Sequence, residues 1–226
     1  MDQRRSPREP FCEQALCRNA RASGFIRDRE RREPEVPRRR RRPGLQRTRR
    51  ADREVRLRLL GAIIAGGQAT RFGSDKAYAR YKGRRLIDHV GAALAAQCSG
   101  LVVCGRAEEG FDCIADLPED GLGPLGGLNA ALHFARSNGF DGVLSSGCDI
   151  PNLPDNLALA LAGEGAAIVQ NQPVVGLWPV SLAPRLDIFI RDGGRALYGF
   201  AESVNARQIT VDPPLMNVNR PSDLEG

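Results

Sequence analysis

Apolar and polar positions follow two different rhythms along this chain. Through residues 1–56 aliphatic side chains are scattered among Arg and Pro with no period, and Pro7, Pro10, Pro34, Pro37, Pro43 and the run Arg38–Arg42 interrupt any pattern. Such a stretch cannot bury enough apolar surface to offset its ordering entropy, so it reads as disordered. From Leu59 onward apolar runs alternate with helical stretches. Leu59–Ile64 is a continuous apolar strand that closes on Ala65-Gly66-Gly67. Leu86, Ile87, Val90 and Leu94 recur at helical spacing, as do Leu128, Ala131, Leu132 and Ala135. Leu101–Cys104, Phe111–Ala115 and Val143–Ser146 read as strands. They are followed by a helix over Leu157–Leu161, strands over Ala166–Val169 and Val174–Trp178, helices over Leu182–Ile190 and Ala196–Val204, and a strand over Gln208–Val211. Strands that are apolar on both faces and alternate with helices predict a three-layer α/β/α domain on a mostly parallel sheet.

Composition sharpens the division. The 226 residues carry a net charge of +6, but residues 1–58 hold 20 Arg, no Lys and 9 acidic residues, and the rest hold 13 basic and 18 acidic residues. The chain therefore divides into an Arg/Pro-rich segment over 1–57 and one domain over 58–226. An Arg-rich tail can bind nucleic acid by counterion release, yet the acidic body would repel a phosphate backbone. Nucleic acid is not the expected partner. Arg, Pro, Ala and Gly use GC-rich codons and no Met lies between Met1 and Met216, so translation from a non-ATG codon near Val55 or Leu57 is the expectation. No apolar run approaches the ~20 residues that span a bilayer. The six Cys at 12, 17, 98, 104, 113 and 148 form no C-x-x-C pair, which suits a reducing, cytoplasmic compartment.

Three segments carry candidate chemistry, each expected beyond the carboxyl end of a strand, where open α/β sheets bind ligands. The first runs from Ala65-Gly66-Gly67 to Arg71-Phe72-Gly73-Ser74-Asp75-Lys76. Glycines let backbone amides approach a ligand, and Arg71 and Lys76 add the cations that a polyphosphate needs. The spacing is neither G-x-G-x-x-G nor G-x-x-x-x-G-K-[ST], so a dinucleotide fold or a Walker-type ATPase fits poorly. The second segment is Ser146-Gly147-Cys148-Asp149-Ile150-Pro151, where Asp149 is placed to hold Mg²⁺ and Cys148 reads as a small buried residue. The third is Asp116 to Gly127, with Gly121, Gly123, Gly126 and Gly127 ahead of a helix whose positive end faces the pocket. His89 and His133 sit within helical patterns and read as packed or partly exposed residues. No Ser/His/Asp arrangement, Cys nucleophile or Zn spacing stands out. Displacement at phosphorus, driven by positioning and charge neutralisation, is the chemistry that remains.

These residues closely resemble the molybdenum cofactor guanylyltransferases, whose first loop reads L-A-G-G-x-x-x-R-M/F-G-x-D-K. Besides Ile64 to Lys76, the similarity includes Gly123-Pro124-Leu125-Gly126-Gly127, Cys148-Asp149-Ile150-Pro151, Val175-Gly176-Leu177-Trp178-Pro179 and Asn217-Val218-Asn219-Arg220-Pro221-Ser222-Asp223-Leu224. It runs in order over residues 58–226. The resemblance implies a Rossmann-like nucleotidyltransferase fold and transfer of GMP from GTP to molybdenum-molybdopterin, giving the guanine dinucleotide cofactor and pyrophosphate. It implies backbone contacts to GTP from Ile64, Ala65, Gly66 and Gly67, and a nucleotide cradle that includes Gly123 and Gly127. Arg71 and Lys76 would stabilise triphosphate charge, Asp116 would contact the nucleotide, and Asp149 would bind Mg²⁺. Arg195, Asn217 and Asn219 would hold the pterin or the metal. A monomer is implied, with molybdoenzymes or their chaperones receiving the product.

The sequence also departs from that family. Relatives often carry a longer segment with a His-Pro pair between the positions matching Ala167 and Val174; here Val169-Gln170-Asn171-Gln172-Pro173-Val174 is short and has no His. Cys104 stands where relatives often place Asn. Gly67 favours guanine over cytidine, since cytidylyl-transferring relatives commonly have an A-A-G pattern there. Cytidylyl transfer, transfer to a sugar phosphate and non-catalytic nucleotide binding stay open as alternatives.

Overall fold

The computed structural model describes residues 57–66, 79–218 and 223. The Arg-rich segment over 1–56, for which disorder is expected, lies outside them, as do Gly67, Arg71, Lys76 and Asn219. The first strand, β1 (Leu59–Ile64), matches its predicted bounds and is buried throughout. A short hairpin, β2 (Arg80–Tyr81) and β3 (Arg84–Arg85), then turns at Lys82-Gly83, both at positive φ, and leads into α1 (Leu86–Ala95). The apolar pattern holds no trace of this hairpin because its four strand residues are Arg and Tyr. β4 (Gly100–Cys104), β5 (Cys113–Ile114), α2 (Pro124–Ser137) and β6 (Gly142–Gly147) follow. The chain continues through α3 (Leu157–Leu161), β7 (Ala167–Val169), β8 (Gln172–Pro179), α4 (Ala183–Arg191), α5 (Leu197–Ser203) and β9 (Arg207–Ile209).

Seven strands form one sheet in the order β5-β4-β1-β6-β8-β7-β9. The β1–β4, β1–β6, β4–β5 and β7–β9 pairs are parallel, and β8 is antiparallel to both β6 and β7. The mostly parallel α/β expectation therefore holds. Alternate residues of β1 face opposite layers. Leu60, Ala62 and Ile64 join a core with α2, α4 and α5, whereas Leu59 and Ile63 join one with α1 and α3. The short turn between β7 and β8 is built on Asn171 at φ +63°, a conformation that Asn tolerates. β5 is shorter than predicted because Phe111 leaves the strand to pack on Gly91 of α1, where an added Cβ would lie 2.8 Å from its ring.

Register levels the strand ends. Ile64 pairs with Cys104 on one side and Gly147 on the other, and Cys104 pairs with Ile114. Ala65-Gly66, Gly105, Ala115-Asp116 and Cys148-Asp149 therefore all leave the sheet at one edge. Among the described residues, no helix is long and apolar enough to cross a membrane.

Candidate active site

The first wall of the site is a carboxylate enclosed by glycines. Asp116 follows β5 and is only 7% exposed. A Cβ on Gly66 would lie 2.9 Å from its Oδ2, one on Gly105 2.7 Å from its Oδ1, and one on Gly126 3.1 Å from its Cβ. Three elements thus converge on Asp116: the end of β1, the end of β4 and the first turn of α2. Gly105 has φ +82°, which a side chain would strain, and its missing Cβ would also meet Gly66 Cα at 2.7 Å. The backbone closes the same corner, with Ala65 N–H donating to Cys104 O (3.1 Å) and Leu117 N–H to Gly126 O (3.2 Å). Among the described residues, Asp116 Oδ1 is buried with no hydrogen-bond partner. Burial, helped by the nearby Asp120 charge, raises its pKa above the usual carboxylate value.

The predicted glycine loop ends earlier than its spacing suggests. α2 begins at Pro124, so Gly126 and Gly127 lie in its first turn rather than ahead of it. Proline fits there because the first helical N–H has no partner within the helix. Gly127 permits close packing: a Cβ would sit 3.1 Å from both Cys104 Cβ and Ile64 Cγ2. Gly123, at φ +59°, has open space at its Cα and exposes the N-terminal end of α2. Cys104 is fully buried among Ile64 and the α2 residues, and burial pushes its thiol pKa far up. It offers no exposed polar group to a ligand, and Asp116 supplies a polar side chain to this wall.

The second wall stands at the end of β6. Asp149 is half-buried, and its backbone oxygen accepts from Val218 N–H at 3.0 Å. That bond brings the C-terminal segment to the carboxylate loop. Asn152 fastens the same segment, donating from Nδ2 to Pro214 O (3.0 Å) and accepting from Met216 N–H at Oδ1 (2.7 Å). Asn217 precedes Val218 in that segment, and among the described residues its Oδ1 is buried without a hydrogen-bond partner. Cys148 is half-buried, more open than the sequence suggests. Among the described residues no group of three or more His, Cys, Asp or Glu gathers to hold a metal. Asp116 and Asp149 belong to strands three places apart, about 14 Å at the usual strand spacing.

Arg195 lies farther round the same edge. α4 runs back along α2, where Asp187 accepts from Asn129 Nδ2 at 2.9 Å and sits 3.0 Å from His133 Nε2. That course carries the turn after α4 toward the glycine end of α2. Arg195 Nη1 there donates to Ile190 O (3.1 Å) and Gly194 O (2.8 Å), capping α4. The two histidines match their packed reading: His89 Nε2 meets Tyr81 O at 2.8 Å, and His133 meets Asp187. Sequence reasoning missed Gly105 and singled out Gly126 only as part of a loop. Gly105 follows a strand and precedes Arg106, so only the contact with Gly66 reveals its role.

Comparisons with known proteins bear on the fold and the family. The model of the MobA-like NTP transferase domain matches residues 61–206. A molybdenum cofactor guanylyltransferase of Cereibacter sphaeroides is 34% identical over 182 residues, covering 74% of this chain and 94% of the relative. One of Rhodobacter capsulatus is 34% identical over 179 residues, with the same two coverages. The crystal structure of molybdopterin-guanine dinucleotide biosynthesis protein A from Archaeoglobus fulgidus shares the fold at a TM-score of 0.60 and 22% identity, covering 74% of this chain and 95% of that one. With a family model matched over well over half its length, and relatives matched across nearly their whole extent, the chain belongs to the molybdenum cofactor guanylyltransferases, a nucleotidyltransferase family of MobA-like fold.

Proposed function

We propose that residues 58–226 form the catalytic unit and transfer GMP from GTP to the terminal phosphate of molybdenum-molybdopterin, releasing pyrophosphate. The observation that carries the guanine reading is the unpartnered Asp116 Oδ1 inside its glycine cage. Guanine presents two adjacent donors, N1–H and the 2-amino group, to which a carboxylate is complementary. Cytosine offers only its 4-amino group as a donor on that edge. An unpaired buried acceptor costs about 1–3 kcal/mol, and a bound base removes that cost. Backbone at Ile64, Ala65 and Gly66 would contact the nucleotide, a role that the family resemblance extends to Gly67.

Arg71 and Lys76 neutralise triphosphate charge. The N-terminal end of α2 at Gly123 adds its positive dipole, and Gly127 lets that helix sit close to β1 and β4. Asp149 and Asn217, whose neighbour Val218 bonds the Asp149 backbone oxygen, would supply hard oxygen donors to a Mg²⁺ completed by water and phosphate oxygens. When bound, Mg²⁺ supplies charge neutralisation on the triphosphate and the departing pyrophosphate. A phosphate oxygen of the pterin forms a bond to the α-phosphorus as the bond to pyrophosphate breaks on the opposite side. Arg195 and Asn219 hold the pterin side. Asp116 and Asp149 would serve opposite ends of one nucleotide, the base and the triphosphate.

The test is pyrophosphate release by the full chain with GTP, Mg²⁺ and molybdopterin. Asp149→Ala and Lys76→Ala are expected to lower turnover by about 100-fold or more. Equal turnover by the wild type and Asp149→Ala would overturn the assignment. Competition among GTP, CTP and UTP should rank GTP first.

A further inference from the structure

A charge network around one buried carboxylate joins the chain segments on either side of residues 67–78. Glu108 lies in the connection between β4 and β5, and its side chain is 0% exposed. Carboxylates are almost never so buried unless paired. Arg85 Nη1 donates to its Oε1 at 2.7 Å, and Arg106 Nη2 lies 3.2 Å from its Oε2. The rest of the Arg85 guanidinium is occupied by Asp88, with Nε donating to Oδ2 (2.9 Å) and Nη2 to Oδ1 (2.7 Å). Arg85 is thus clamped between the first turn of α1 and the β4–β5 connection. Those bonds raise the Arg85 pKa and lower that of Asp88.

The elements so joined have a shared position. Arg85 closes the β2–β3 hairpin, which begins directly after residue 79, and Leu86 N–H donates to Ala79 O at 2.9 Å. Glu108 stands three residues after Gly105, whose backbone abuts Gly66 and the Asp116 carboxylate. The chain on both sides of residues 67–78, at Gly66 and at Ala79–Arg85, is therefore held against one connection. Buried ion pairs contribute little net stability, because desolvation offsets their attraction. They do enforce one geometry, since a planar guanidinium fork accepts carboxylates only along fixed directions.

We propose that Glu108 is a positioning residue for the nucleotide: through Arg85 it holds the hairpin, and through its own connection it holds Gly105 against Gly66 and Asp116. It touches no substrate. The proposal rests on the GTP reading above and deepens it by dividing the two substrates, because the braced residues Gly105, Gly66 and Asp116 form the corner assigned to the base, whereas Arg195 is assigned to the pterin.

The experiment is steady-state kinetics and calorimetry on the full chain carrying Glu108→Gln, which keeps shape and an acceptor but removes the charge. The KM for GTP and the Kd for GTP with Mg²⁺ alone should both rise about tenfold, with the molybdopterin KM within about twofold of wild type. A lower melting temperature and lower kcat with both KM values unchanged would show a structural role only and overturn the proposal. Arg85→Lys keeps the charge, loses the fork and sits at the more exposed end of the network. It should raise the GTP KM about threefold, and an unchanged GTP KM in this variant would overturn the proposal even where Glu108→Gln fails to fold. A wild-type chain that binds no GTP and releases no pyrophosphate would instead defeat the functional reading itself.

Discussion

The two halves of the sheet solve opposite problems. Under β8, a layer of aromatic side chains is tied in by hydrogen bonds. Trp178 is fully buried, stacks on Phe200 with ring centroids 5.8 Å apart, and donates from Nε1 to Ser145 Oγ at 3.0 Å. Ser145 in turn donates to Val174 O at 2.7 Å, and Phe189 tilts onto Phe200 at 5.5 Å. At the ends of β1, β4 and β5 the pattern inverts, with three glycines around a carboxylate whose Oδ1 is unpartnered. The first region is complete as it stands, and the second lacks a donor. Among the described residues, an unsatisfied acceptor therefore stands in the corner proposed for the base, while the aromatic layer closes on its own partners.

That contrast can be broken most forcefully on its packed side. Trp178→Ala should cost about 3–5 kcal/mol in urea unfolding, since it removes the largest buried side chain and leaves Ser145 without its donor. A loss below about 1 kcal/mol would mean that the aromatic layer does not hold the β8 side together. On the open side the balance should reverse. Gly126→Ala gains about 1 kcal/mol of helix propensity, but its Cβ would press on Asp116 at 3.1–3.2 Å. Stability should therefore hold while the GTP KM rises about tenfold. An unchanged KM would remove Gly126 from the cage.

These differences explain what could be read from the sequence. β1 and α3 were legible to the residue because Leu59–Ile64 and Leu157–Leu161 are unbroken apolar runs with clear ends. The β2–β3 hairpin was not, because its residues are cationic and its register comes from a Lys-Gly turn rather than apolar alternation. The start of α2 was obscured by glycines, although Pro124 at its first position is a recognised signal. In the site, Asp116, Asp149 and Asn217 were legible as polar residues at strand ends or within the resemblance. Gly105 and Glu108 were not, since their roles depend on contacts across 39 and 23 residues, from Gly66 and Arg85 respectively.

The smallest effect concerns the braced corner. Arg85 holds the Asp88 carboxyl below its ordinary range. That contribution is present above the unfolded-state pKa and is lost as pH falls through the lowered folded value. Both side chains are about one-quarter exposed, so solvent screening keeps it near 0.5 kcal/mol. The stability gap between wild type and Asp88→Asn should be measurable in urea at pH 7 and close toward about pH 2–3. A gap that persists there would mean that Asp88 acts through packing instead of charge.

Thermal unfolding of Asp116→Asn with and without GTP decides whether Asp116 is the acceptor proposed for the base. The raised pKa of Asp116 has a definite sign: the ligand-free chain loses stability as pH rises through it, because the unfolded carboxylate ionises more readily. At pH 8 the account predicts that Asp116→Asn melts higher than wild type without ligand and loses most of the GTP-induced rise. A variant that melts lower than wild type, yet is stabilised by GTP to the same extent, would contradict it.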